Sequence, residues 1–235
     1  MPIKQNDFIE LTYTGRLKEG GMVFDTTDAE VAQAHGLPKA KYGEIVVVVG
    51  QGQLLKGLEE KLVGREPGKF TIELDAERAF GKKNAKLIQM VPITKFRENK
   101  IQPVPGLQLN IDGMLCTIRQ VTGGRVMVDF NHPLAGKDVI YEVKVNKIVT
   151  DKKEQLSSVF VMLLNVKPES ISVDGAKAKV RIAQELPAQI VPELQKKLKE
   201  LTGLDVDVEQ PGKEKKPAEK KPAEKKAAKN NSAAQ

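Results

Sequence analysis

The sequence predicts an α+β protein: antiparallel strands with one short helix, interrupted by a small all-β unit and followed by an α-β-β-α-β domain. Three observations carry this. Short apolar runs alternate at period two between Gly-rich turns through most of the first 149 residues. One stretch, Leu54 to Val63, has helical spacing instead, with Leu54, Leu55, Leu58 and Leu62 on one face and Gly64 after it. Beyond Thr150 the periodicity becomes helical, then alternating, then helical again.

Each element follows from its residues. Phe8, Ile9, Leu11 and Tyr13 precede Thr14-Gly15, and Gly20-Gly21 marks a hairpin before Met22-Val23-Phe24-Asp25. Residues 26–44 are polar and hold Ala and Gly; they read as a long loop, a length that often carries function. Ile45–Val49 is wholly apolar and reads as a buried strand; Gly50-Gln51-Gly52 turns it into the helix, and Phe70, Ile72 and Leu74 form the next strand. Within 86–129, Leu87, Ile88, Met90 and Val91 give one strand. Leu107, Leu109 and Ile111 alternate up to Asp112-Gly113, a hairpin signal. Strands at 114–121 and 126–130 complete this unit, and Val139–Val149 is a long alternating strand. Asp151 with Glu154 forms a capping-box-like start, followed by Leu156, Val159, Phe160, Leu163 and Leu164 at helical spacing. Two strands follow, around Ile171–Val173 and Ala178–Ile182. A second helix carries Ile190, Leu194, Leu198 and Leu201 to a stop at Gly203, and a last strand holds Leu204, Val206 and Val208. The divisions are therefore 1–85 with 130–149, 86–129, 150–210, and a Lys-rich stretch at 211–235.

Composition narrows the function. The net charge of +7 is mostly that last stretch, where eight Lys face three Glu. It has almost no large apolar side chain to offset ordering entropy and reads as disordered, with nucleic-acid or ribosome contact confined to it. The folded part is not basic enough to read as a nucleic-acid binder. The single Cys116 and an N-terminus without an apolar signal core read as a reducing, cytoplasmic setting. His35, His132 and Cys116 have no metal-ligand spacing, and no P-loop, dinucleotide fingerprint or Gly-x-Ser-x-Gly occurs, so no metal or cofactor is expected. What remains is binding, or a reaction needing no covalent chemistry.

Five motifs then fall in one order: Tyr13; Val23-Phe24-Asp25-Thr26-Thr27; Val47–Gly50 followed by Gln53-Leu54-Leu55-Lys56-Gly57-Leu58-Glu59; Ala79-Phe80-Gly81; and Phe130-Asn131-His132-Pro133-Leu134-Ala135-Gly136-Lys137 leading to Tyr141. Over about residues 3–149 this resembles the FKBP-type peptidyl-prolyl cis–trans isomerases, in particular the SlyD-like and long archaeal-type members with a domain inserted in the flap. The resemblance implies an antiparallel sheet wrapped on a short helix. It implies a proline pocket in which Tyr13, Asp25 and Leu55 act on the substrate while Phe24, Ile45, Leu54, Leu58, Phe80 and Tyr141 line it. Leu58 stands where family members often have Trp, and Phe80 where many have Tyr. Read singly, Tyr13 and Tyr141 are equally core aromatics, Asp25 a turn residue, and His132 a hinge before Pro133.

The resemblance further implies a chaperone surface on the insert, for which Leu87, Ile88, Met90, Val91, Ile93 and Phe96 are the apolar candidates; the other reading is that they form the insert's own core. Expected partners are unfolded or partly folded proteins with X–Pro bonds and a macrolide of FK506 type. The alternative function is a non-enzymatic holdase or assembly factor on the same fold. For residues 150–210 three readings stand: homodimerisation, docking on the isomerase domain of the same chain, or holding a different protein.

Overall fold

The computed structural model describes residues 1–38, 42–111, 113–187 and 189–211; the Lys-rich repeat, and the disorder expected of it, lie outside them. The first sheet is built on β1 (Phe8–Leu17), which pairs along its whole length with β9 (Val139–Ile148), from Ile9↔Ile148 to Leu17↔Val139. On the other edge of β1, two short strands share the register. β3 (Ile45–Val48) pairs antiparallel with Phe8–Leu11, and β2 (Val23–Thr26) pairs with the half near Gly15. β4 (Lys69–Leu74) closes the far side of β9. The helix α2 (Lys56–Leu62) lays Leu58 and Leu62 on the sheet face formed by Leu11, Ile72, Leu74, Tyr141 and Val143. The helix is shorter than its apolar spacing predicts: Leu54 and Leu55 lie in the loop before it. The 26–44 segment is not all loop either, because Asp28 accepts the N–H groups of Glu30 and Val31 and starts α1 (Ala29–Ala34).

Residues 88–129 form a second, antiparallel sheet in the order β5-β8-β7-β6: β5 (Ile88–Pro92), β6 (Gln108–Ile111), β7 (Met114–Thr122) and β8 (Arg125–Asp129). This unit is not purely β. After Pro92 the chain turns into α3 (Ile93–Glu98), which drives Phe96, 4% exposed, into a small core with Cys116, Ile118, Val126 and Val128. The unit joins the first sheet through two crossing segments tied by backbone bonds from Phe130 N–H to Leu87 O and from Gly136 N–H to Gly81 O.

After β9 the chain forms α4 (Lys152–Leu164), β10 (Ser170–Asp174), β11 (Lys177–Arg181), α5 (Ile190–Thr202) and β12 (Asp205–Glu209). β10 is antiparallel and β12 parallel to the central β11. Asp151 Oδ1 accepts the N–H of Glu154 at the start of α4, and Asn165 and Gly203 end the two helices in left-handed conformations. The core of this domain continues into the first one: Leu156, Val159 and Phe160 of α4 form one cluster with Phe8, Val48 and Val149. The tie is also polar. Gln155 Nε2 donates to Val149 O, and Lys147 pairs with both Glu10 and Glu154. Residues 150–210 are thus docked on the same chain, and this explains the wholly apolar β3. Ile45 and Val47 face the first core, while Val46 and Val48 face α4, so both sides of the strand are packed on apolar residues. No helix among the described residues is long and apolar enough to cross a membrane.

Candidate active site

Four aromatic rings meet where β1, β2, β9 and the chain after β4 converge. Phe24 stands edge-on to both Phe80 (centroids 5.6 Å apart) and Tyr141 (5.8 Å), and Tyr13 tilts against Tyr141 at 5.8 Å. Such edge-to-face contacts add to burial by matching ring edge to ring face. Ile45, Leu54 and Leu55 pack on the same cluster, and Leu58, 1% exposed, closes its floor from α2. Of the nine residues assigned to proline binding and catalysis on the strength of the family motifs, eight belong to one hydrophobic cluster, and Asp25 is bonded to it at its exposed edge through Tyr13.

The rim is held by hydrogen bonds. Tyr13 Oη donates to Asp25 Oδ2 at 2.8 Å. Burial above all, then the bond to Asp25 and its charge, raises the Tyr13 phenol above its usual range, so it stays a donor. Burial followed by the Asp25 charge does the same to Tyr141. Thr27 fixes the corner: Tyr13 N–H donates to Thr27 Oγ1 and Thr27 N–H returns to Tyr13 O, both at 2.9 Å. Asp25 sits opposite Gly15 in the β1–β2 register, and its carboxylate meets the ring cluster at the Tyr13 hydroxyl.

Leu54 and Leu55 are presented by a loop, not by the helix. Val48 N–H donates to Gln53 Oε1, and the Glu59 carboxylate, in a side chain that is nearly buried, reaches back toward the loop N–H groups including Leu54. Burial raises the pKa of Glu59 against the lowering effect of those N–H groups. Leu55 begins α2 with extended backbone, its carbonyl accepts from Leu58 and Glu59, and among the described residues its own N–H donates to nothing. That leaves one donor at the mouth of the hollow.

Two residues of the site escape motif reading. Gly15 lies inside β1, not at its end, and a Cβ there would stand 2.9 Å from both Phe24 and Tyr141. Only the absence of a side chain lets the rings close over the strand; a glycine in a strand interior is itself the available signal. His132 stacks flat on Phe80, 4.7 Å between centroids and 2° from parallel, while its Nδ1 accepts the N–H of Leu134. It is both the hinge residue before Pro133 and a wall of the hollow.

The six apolar candidates on the insert divide. Leu87, Ile88 and Met90 are exposed, at 39, 38 and 51%. Phe96 is not a surface residue, because α3 carries it inward, and Val91 of β5 and Ile93 pack on its core. Met114, Leu115 and Val104 are further exposed apolar residues of the same unit, outside the row at 87–96.

Residues 89–134 match the family model described as FKBP26, IF domain. The chain is 33% identical over 155 residues to the short-type peptidyl-prolyl cis-trans isomerase of Methanocaldococcus jannaschii, covering 65% of this chain and 98% of that protein. It is 30% identical over 151 residues to the FKBP-type 16 kDa peptidyl-prolyl cis-trans isomerase of Escherichia coli K12, covering 62% and 93%. To the FKBP-type isomerase SlyD of Vibrio cholerae it is 29% identical over 167 residues, covering 67% and 74%. With the ordered motifs meeting in one aromatic cluster and these matches along them, the chain belongs to the FKBP-type family of peptidyl-prolyl cis–trans isomerases.

Proposed function

We propose that this isomerase accelerates proline-limited protein folding, with the ring-lined hollow turning the X–Pro bond and the insert holding the unfolded chain. The bond resists rotation because amide resonance must be broken, a barrier of about 18–20 kcal/mol. At the twisted transition state the C–N bond has lost double-bond character and the carbonyl is less polar. An apolar cage built from Phe24, Phe80, Tyr141 and Leu58 therefore favours it over the planar, better-solvated ground state. Each ~1.4 kcal/mol of that preference is worth about tenfold in rate. The proline ring sits among the aromatics, the Leu55 N–H holds a substrate carbonyl, and the Tyr13–Asp25 bond keeps the rim in place. No acid, base or metal enters the step. An FK506-type macrolide, recognised by the same cage, is the expected competitor.

The observation that carries this reading is the Tyr13–Asp25 bond at the mouth of the aromatic hollow, 2.8 Å long beside the unengaged Leu55 N–H. Asp25→Ala tests it: peptide isomerisation measured by protease coupling falls at least about tenfold, the equivalent of ~1.4 kcal/mol, while the thermal midpoint barely moves. Unchanged peptide activity in that variant refutes the assignment.

The client-holding role rests on Leu87, Ile88 and Met90, with the polarisable Met side chain suited to varied partners. A second binding surface raises the effective concentration of a chain at the hollow without any new contact there. Homodimerisation through 150–210 rests on what α4 leaves uncovered, Val161 and Leu163 at 45 and 43% exposure.

A further inference from the structure

Between the insert and the isomerase sheet, beside the hollow, lies a cleft of about 210 Å3 that the catalytic reading leaves unused. Its walls carry Lys83, Lys137 and His132 from the isomerase side and Arg119 and Asp129 from the insert. Charges are not balanced across it. Asp129 is the sole carboxylate among the lining residues, and it is fully engaged: Oδ2 accepts from Arg119 Nε (2.9 Å) and Nη2 (2.7 Å), and Oδ1 accepts from the backbone and side-chain amides of Asn131. Burial disfavours the charged carboxylate, but the Asn131 bonds and then Arg119 outweigh it and hold its pKa below the usual carboxylate range, so it stays an anion committed to Arg119. Lys83 and Lys137 have no ion-pair partner among the described residues. Two exposed lysines without a carboxylate partner therefore line one partly enclosed space.

The cleft is also fixed in place. Asn131, 7% exposed, accepts the N–H of Asn84 (2.8 Å) and donates to its carbonyl (3.1 Å), so the two segments that join the insert to the sheet are cross-linked at the cleft floor. It communicates with the hollow through one residue, because His132 lines the cleft with part of its surface and stacks on Phe80 with its ring. A client whose proline lay against Phe80 would have His132, a residue of the cleft lining, beside it.

We propose that this cleft is a specificity subsite for a carboxylate side chain of the client, flanking the proline on the side of the insert. The proposal rests on the isomerase reading and names the substrate class it favours: X–Pro segments with an acidic neighbour. Exposed ion pairs are individually weak, and two of them acting on one carboxylate in a partly enclosed cleft give a preference of about fivefold, the equivalent of ~1 kcal/mol.

The test uses the full chain and two sets of proline peptides, one with Glu placed in turn at each position flanking the proline, the other with Gln at the same positions. The expected result is a kcat/KM about fivefold higher for Glu than for Gln at one position at low salt, collapsing in 1 M salt, where the screening length is about 3 Å. The Lys83→Ala/Lys137→Ala double variant loses the Glu–Gln difference. Lys69→Ala/Lys144→Ala, which removes the same charge from the exposed outer face of β4 and β9, keeps it. Equal rates for Glu and Gln at every position, or a preference that survives in the Lys83/Lys137 variant, overturns the subsite. The Gln peptides read the isomerase activity by themselves, so failure of the subsite and failure of the isomerase reading give different results.

Discussion

Gly15→Ala sets two effects of opposite sign against each other. Gly15 is in extended strand backbone, where Ala is ordinarily preferred by roughly 0.5–1 kcal/mol because glycine loses more freedom on folding. The added methyl would stand 2.9 Å from Phe24 Cζ and from Tyr141 Cε1, and 3.0 Å from Phe24 Cε2. Carbon atoms rest comfortably at about 3.5–4.0 Å, so both rings must withdraw by about 0.6 Å or more. Neither is free to do so, since Phe24 is edge-on to Phe80 and Tyr141, and Tyr141 is 4% exposed. Overpacking of this kind costs about 1–3 kcal/mol and outweighs the backbone gain. The net loss of about 1–2 kcal/mol lowers the thermal midpoint by roughly 3–6 °C for a chain of this size. Activity falls further than stability, because a displacement approaching 1 Å in a positioned site costs on the order of 100-fold. Peptide kcat/KM should drop by about 10- to 100-fold while far-UV circular dichroism is unchanged. Adding Phe24→Leu to Gly15→Ala should recover stability without recovering activity, a non-additive pair. Native activity in Gly15→Ala would show that the rings are not the reacting surface.

Two further outcomes follow from the joints of the molecule. The lowered pKa of Asp129 in the folded chain means that its contribution is complete above the ordinary value of 3.8 and is lost as pH falls through the lower folded value; the insert should loosen on acidification below about pH 4, seen as earlier amide exchange at Asn84 and Phe130, and Asp129→Asn should flatten that dependence. Ending the chain at Thr150 uncovers Phe8, Val48 and Val149, each nearly fully buried and each worth up to about 1.5–3 kcal/mol; the truncated protein should melt at least about 10 °C lower and bind a hydrophobic dye, and an unchanged midpoint would mean that α4 does not brace β3.

How much of this was legible depended on the range of the contacts involved. The succession of strands along the chain and the caps of α4 and α5 are local, and Asp151 with Glu154 or Gly203 announce themselves within one turn. The character of β3 was visible in Ile45–Val49, but its cause was not, because α4 arrives more than a hundred residues later. Leu54 and Leu55 were read into the helix since their spacing fits it; the loop that holds them is set by Gln53 and Glu59 bonding to backbone, which leaves no periodicity to read. Phe96 looked like one more apolar residue of a surface row until α3 turned it inward. The aromatic hollow was traceable by motif order, whereas Gly15 resembled a turn and His132 a hinge, because ring contacts between β1, β2 and residues 80 and 132 depend on tertiary approach.

The division of labour between hollow and insert is tested most directly by one comparison. The segment Lys86–Asp129 is replaced by a short turn, and the full chain and the deletion variant are compared on a proline tetrapeptide and on the refolding of a proline-limited protein. The account predicts tetrapeptide kcat/KM within about twofold and refolding catalysis lower by about tenfold or more, since the second binding surface and its effective concentration are gone. Equal losses on both substrates would contradict it and make the insert a support of the hollow.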